Sequence, residues 1–218
     1  MPWRGSDNEG QVTIERPARA LDGVLARPEK TLRGGAVLCH PHPQYLGSMD
    51  NTVIVAVSRA LVTSGFATLR FNFGGVGRSQ GAYSGGPEEV EDARAAVDTL
   101  AAYLPPGAPL HLVGYSYGAW VALLAGPRST RVARIVAIAP PLNLFDWRSL
   151  GAIPQPVSII AAEHDQFCAP HHLARVISER GGQVAVRATI AGADHFFVGF
   201  EDQVAAASSS ASTEPLPT

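Results

Sequence analysis

A chain of 218 residues that is 46% hydrophobic and 17% charged can bury one sizeable core, and its length suits a single domain. Its 17 Lys and Arg against 19 Asp and Glu leave a formal charge of −2, which offers no electrostatic footprint for nucleic acid or an anionic membrane. Two cysteines, Cys39 and Cys168, cannot build a disulfide scaffold, and no apolar run reaches the length of a membrane span.

The opening stretch, residues 1–10, is polar and lacks the apolar segment of a signal peptide, so it reads as a flexible N-terminus and the protein as cytoplasmic. Short β-branched runs then alternate with amphipathic segments. Strands are predicted at Val12–Glu15 and Leu21–Ala26, with no helix between them, so they can pair as an antiparallel hairpin at a sheet edge. From Ala36–Cys39 onward strand and helix alternate: helix Asn51–Thr63, strand Ala67–Asn72, helix Pro87–Tyr103, strand Leu110–Gly114 and helix Tyr117–Ala125. Strand Arg134–Ala139, strand Val157–Ala162, helix Pro170–Arg180, strand Val184–Ile190 and a helix after His195 complete the order. That order predicts a mostly parallel sheet with helices on both faces. The single domain is assigned to residues 11–204, and the low-complexity stretch 205–218, AAASSSASTEPLPT, to a disordered tail.

In such a sheet, ligands bind beyond the carboxyl ends of the strands. Two stretches match the pattern G-x-S-x-G, in which a serine sits on a strained turn between strand and helix. Gly114-Tyr115-Ser116-Tyr117-Gly118 has a strand before it and a helix after it; Gly77-Arg78-Ser79-Gln80-Gly81 has neither. Ser116 is therefore the candidate nucleophile and Ser79 a loop serine.

A serine hydroxyl needs a general base, and the base an orienting carboxylate. Asp165 follows strand Val157–Ala162, with Glu163 and Asp146 as competing acids, and His195 follows strand Val184–Ile190. Three suitable residue types in the order Ser, Asp, His, each just past a different strand, outweigh any one motif. The segment His40-Pro41-His42-Pro43 follows strand Ala36–Cys39, where an oxyanion-hole loop belongs. Proline has no N–H to donate. His42 is then the simplest backbone donor to complement Tyr117, with Gln44 or Tyr45 as alternatives in another loop geometry. The acidic run Glu88, Glu89, Glu91 and Asp92 behind Pro87 reads as a helix start favoured by the dipole, not as a metal site. No Cys/His/Asp set has familiar ligand spacing, so neither a metal nor another cofactor is expected.

The segments CHPHPQYLGSMDN (Cys39 to Asn51), FNFGGVGRSQG (Phe71 to Gly81), GYSYG, AEHD and GADHFF together resemble the α/β-hydrolase superfamily. More narrowly, they resemble its small, capless, dienelactone-hydrolase-like serine hydrolases. The resemblance implies the α/β-hydrolase fold, with Ser116 as nucleophile, Asp165 as acid and His195 as base. One departure is Gly74, which stands where the family commonly carries arginine and puts in question any bracing of the oxyanion loop by that arginine. A cap domain would enter after the sixth strand, yet only Pro141 to Gln155 lies there.

An open site is expected, with Leu142, Leu144, Phe145 and Trp147 as possible walls and Tyr45, Tyr117 and Phe196 as further lining. Such a site suits small carboxylic esters, thioesters or lactones cleaved through an acyl-enzyme. A non-catalytic ligand- or partner-binding protein on the same fold is the alternative. In the family's strand order the strands ending at Cys39 and Ala162 lie about three spacings apart, roughly 14 Å, so both thiols are expected to be free.

Overall fold

The computed structural model describes residues 8–17, 19–145, 150–180 and 184–214. Eight strands form one sheet in the order β1-β2-β4-β3-β5-β6-β7-β8. The strands are β1 (Glu9–Arg16), β2 (Arg19–Ala26), β3 (Gly34–Cys39), β4 (Phe66–Phe71), β5 (Leu110–Tyr115), β6 (Val132–Ile138), β7 (Val157–Ala162) and β8 (Val184–Ile190). β1 and β2 form the antiparallel edge hairpin, β2 joins β4 antiparallel, and every pairing from β4 through β8 is parallel. The central strands β3, β5 and β7 are buried throughout. This is why they read as continuous apolar runs and not as alternating ones.

Helices α1 (Thr52–Thr63) and α5 (Glu201–Thr213) cover one face, while α2 (Pro87–Ala101), α3 (Tyr117–Ala125) and α4 (Pro170–Arg180) cover the other. Each start has a physical cause. The Asn51 side chain accepts the Val53 and Ile54 N–H groups at 3.1 and 3.4 Å, capping α1. At α2, Pro87 fills the first turn and the buried Glu89 carboxylate accepts the Gly86 N–H at 2.7 Å. The acidic run is thus a capped helix start.

Two predicted boundaries are corrected. The segment read as a disordered tail from 205 is helical through Thr213, with Val204, Ala205, Ser208, Ala211 and Ser212 buried on the sheet. Its small side chains let the helix lie close. The Ser209 hydroxyl bonds Ser64 at 2.6 Å, and Arg134 donates to the Ala211 carbonyl at 3.0 Å. At the other end, Glu9 and Gly10 belong to β1 and pair with Ala26 and Leu25. Residues 1–7 and 215–218 lie outside the described residues.

Between β6 and β7 the described residues form no helix or strand, and no cap domain intervenes. Among the described residues no helix is long and apolar enough to cross a membrane. Cys39 and Cys168 are both buried free thiols.

Candidate active site

The residues that follow β3, β5, β7 and β8 converge at one rim of the sheet. At the end of β5, Ser116 takes φ 54° and ψ −119°, a left-handed backbone that L-residues rarely adopt. The flanking glycines make the turn possible. A Cβ on Gly114 would lie 2.1 Å from the Gly118 carbonyl oxygen, and one on Gly118 would lie 2.1 Å from the Cys39 carbonyl oxygen. No other residue fits either position, and the strained turn lifts the serine hydroxyl out of the sheet.

The Ser116 Oγ lies 2.8 Å from His195 Nε2. Across the ring, His195 Nδ1 is 2.9 Å from both oxygens of Asp165. Asp165 is buried and also accepts the N–H groups of Phe167 and Cys168 at 2.8 and 3.1 Å. A carboxylate can only accept, so the Nδ1 proton of His195 points to Asp165 and Nε2 presents its lone pair to the serine. The loop bearing His195 is pinned from below: the Tyr115 hydroxyl donates to the His195 carbonyl at 2.8 Å. Of the competing acids, Glu163 points elsewhere and accepts the Gly192 N–H at 2.7 Å, and Asp146 lies outside the described residues.

Ser79, the rejected second match, is a strut. Its hydroxyl donates to the Asn72 carbonyl at 2.6 Å and accepts the Asp22 N–H at 2.9 Å.

The His-Pro-His-Pro segment divides its work between its two histidines. His40 is fully buried; Nδ1 donates to the Pro41 carbonyl at 2.6 Å and Nε2 accepts the Phe73 N–H at 3.1 Å. Burial pushes its pKa down to about 4, so it is a neutral staple between the loops after β3 and β4. His42 faces the site and opens a 3-10 turn over Pro43–Tyr45. That turn consumes the N–H groups of both alternatives: Gln44 donates to His42 Nδ1 at 3.2 Å, and Tyr45 donates to the His42 carbonyl at 3.0 Å. The N–H groups of His42 and of Tyr117, first residue of α3, have no acceptor among the described residues.

Gly74, the departure from the family pattern, lies beside an arginine from another strand. A Cβ there would be 3.3 Å from a guanidinium nitrogen of Arg19. Arg19 and Arg16 both bond the buried Asp92, at 2.6 and 2.5 Å, and Asp92 accepts the Gly74 N–H at 2.9 Å. Sequence reading missed this contact because it joins positions more than 70 residues apart.

A cavity of about 430 Å³ opens at Ser116. Tyr45, Tyr117, Leu144, Phe145, Phe167 and Phe196 supply much of its wall. Leu142 is instead buried in the core, and Trp147 lies outside the described residues. Tyr45, Leu144 and Phe196 are exposed, so the mouth is an apolar rim. The described lining residues include no Asp, Glu, Lys or Arg. Among the described residues, no group of three or more His, Cys, Asp or Glu is placed to hold a metal ion.

A family model for serine aminopeptidases of the S33 class matches residues 47–147, a stretch that includes Ser116 and ends before Asp165 and His195. An uncharacterised protein of Rickettsia prowazekii (strain Madrid E) is 32% identical over 194 residues, which is 86% of this chain and 82% of that one. Of the solved structures, an α/β serine hydrolase homologue from Coxiella burnetii has a TM-score of 0.84 at 28% identity, covering 92% of this chain and 95% of its own. A Xanthomonas campestris α/β serine hydrolase without a lid has a TM-score of 0.87 at 27% identity, covering 100% of this chain and 99% of its own.

Proposed function

The chain belongs to the α/β-hydrolase superfamily, and on that premise we propose that it cleaves small carboxylic esters through an acyl-enzyme formed on Ser116. The observation that carries this reading is the continuous hydrogen-bond line from Ser116 Oγ through His195 to the buried Asp165.

In this reading, substrate enters the apolar cavity with its carbonyl carbon over Ser116 Oγ. His195 Nε2 takes the hydroxyl proton as the serine attacks, and Asp165 stabilises the imidazolium that results. Negative charge develops on the carbonyl oxygen, where the N–H groups of Tyr117 and His42 can receive it as an oxyanion hole. Collapse of the tetrahedral species expels the alcohol, which takes the proton from His195. Water then attacks the acyl-serine by the same steps.

Tyr45, Phe145 and Phe196 would hold the acyl or alcohol portion. Thioesters and lactones present the same electrophile and fit the same cavity. An aminopeptidase would need an anionic partner for its substrate's α-ammonium group, and the described lining residues provide none.

Intact-mass analysis after incubation with a fluorophosphonate tests the mechanism. One adduct is expected on the native protein and none on Ser116→Ala. Absence of the adduct on the native protein, or its persistence on the variant, overturns the assignment. A panel of p-nitrophenyl esters against aminoacyl p-nitroanilides then separates esterase from peptidase; faster cleavage of the anilides would reverse the substrate reading.

A further inference from the structure

The ring of His42 does not stand alone. Its Nε2 lies 3.0 Å from the Tyr83 hydroxyl, and the Tyr83 ring packs on that of Tyr117, whose hydroxyl donates to Glu89 Oε2 at 3.1 Å. Glu89 is fully buried and already accepts the N–H groups of Ser84 and Gly86 and the Ser84 hydroxyl, at 2.7 to 2.8 Å. Burial alone would raise its pKa, but these donors outweigh burial and hold it below the ordinary value, so it is an anion.

The partner at each end places the proton of each hydrogen bond. The Gln44 N–H can only donate, so His42 Nδ1 must offer a lone pair and the neutral ring carries its proton on Nε2. That proton goes to the Tyr83 oxygen. The Glu89 carboxylate can only accept, so the Tyr117 hydroxyl spends its one proton there.

His42 and Tyr117 both line the cavity with Ser116, and neither main-chain N–H has an acceptor among the described residues. Their rings also touch, with centroids 4.8 Å apart, and Tyr83 packs on both, at 4.9 Å from His42 and 5.8 Å from Tyr117. Tyr83 comes from the loop after β4 and Glu89 from the first turn of α2. Neither lines the cavity.

We infer that Tyr83 and Glu89 are positioning residues that fix the spacing of the oxyanion hole, Tyr83 by tying down the side chain of His42 and Glu89 that of Tyr117. This inference rests on the hydrolase reading above. Backbone donors stabilise an oxyanion only when aimed at its position, and a misplacement near 1 Å can cost about 100-fold in rate. Tyr83 sets that aim from outside the cavity, so its loss should lower turnover and leave ground-state binding unchanged.

Tyr83→Phe tests the inference, because it keeps the ring and removes one hydroxyl. With p-nitrophenyl acetate, kcat should fall about 10-fold while KM stays within about twofold. Tyr117→Phe, which removes the hydroxyl held by Glu89, should give a similar loss. In a double-mutant cycle, Tyr83→Phe should cost less than twofold more in a His42→Ala background, where the tie is already cut. A kcat within twofold of the native value for both Phe variants overturns the inference. So do losses that multiply in the cycle, or a change confined to KM. Fluorophosphonate labelling of the native protein keeps the two readings apart: no label refutes the hydrolase reading, while label with unimpaired Phe variants refutes only the tie.

Discussion

The main chain at Gly118 lies so close to Cys39 that a Cβ added there would come within 2.1 Å of the Cys39 carbonyl oxygen and 2.6 Å of that of His40. The helix after Ser116 and the strand before the His42 loop therefore meet backbone to backbone. Their contact sets how far the proposed nucleophile sits from the proposed oxyanion donors.

Gly118→Ala should separate the two elements. We expect kcat on p-nitrophenyl acetate to fall at least about 100-fold, with a lowered melting temperature. Gly10→Ala, where a Cβ meets nothing within 4 Å, serves as the control and should retain its rate. Near-native turnover in Gly118→Ala would show that the spacing is not critical.

Asp92 should be a stability residue. Its buried carboxylate serves Arg16, Arg19 and the Gly74 N–H at once. Asp92→Ala leaves two largely buried guanidinium groups with only the exposed Glu88. Urea unfolding should show a loss of about 3 kcal/mol. An unchanged midpoint would mean that solvent replaces the carboxylate without penalty.

Phe145 should govern acyl length. It stacks on Trp120 at 5.0 Å and packs beside Tyr117 on the cavity wall. Phe145→Ala removes apolar surface that only a longer chain reaches. KM for p-nitrophenyl hexanoate should rise about 10-fold, in keeping with roughly 1.5 kcal/mol of lost burial. KM for the acetate should stay within about threefold. Equal changes for both esters would place the chain elsewhere.

Acid should unfold the protein partly through His111 and His40. Burial pushes both pKa values down to about 4, with Arg134 adding to the effect at His111, whose Nδ1 has no partner among the described residues. In the unfolded chain both return to about 6.5. A histidine held neutral by folding contributes stability above the unfolded value, and that contribution is lost as pH falls toward 4. Unfolding free energy should therefore drop between pH 6.5 and 4, and His111→Leu should make that drop shallower. Parallel curves for the native protein and the variant would mean that His111 does not carry the effect.

The strand–helix order and the strained turn at Ser116 were legible in the sequence because each is a local pattern. A nucleophile elbow is five consecutive residues, and a parallel strand announces itself by an unbroken apolar run. The helix α5 was not legible in full. Alanine and serine score as low complexity, yet at Ala205, Ser208, Ala211 and Ser212 they let a helix approach a sheet. The 3-10 turn that engages the N–H groups of Gln44 and Tyr45 was not legible in the sequence either.

Sequence alone determined which residues could do the chemistry and in what order the strands would present them. Tertiary structure decided what holds those residues in place. Tyr83 reaches His42 across 41 residues, Glu89 reaches Tyr117 across 28, and Arg16 reaches Asp92 across 76. Such contacts leave no periodicity in the chain, because folding brings the partners together only after the sheet has set their separation. Local pattern names the candidate reacting groups; the packing of distant segments positions them.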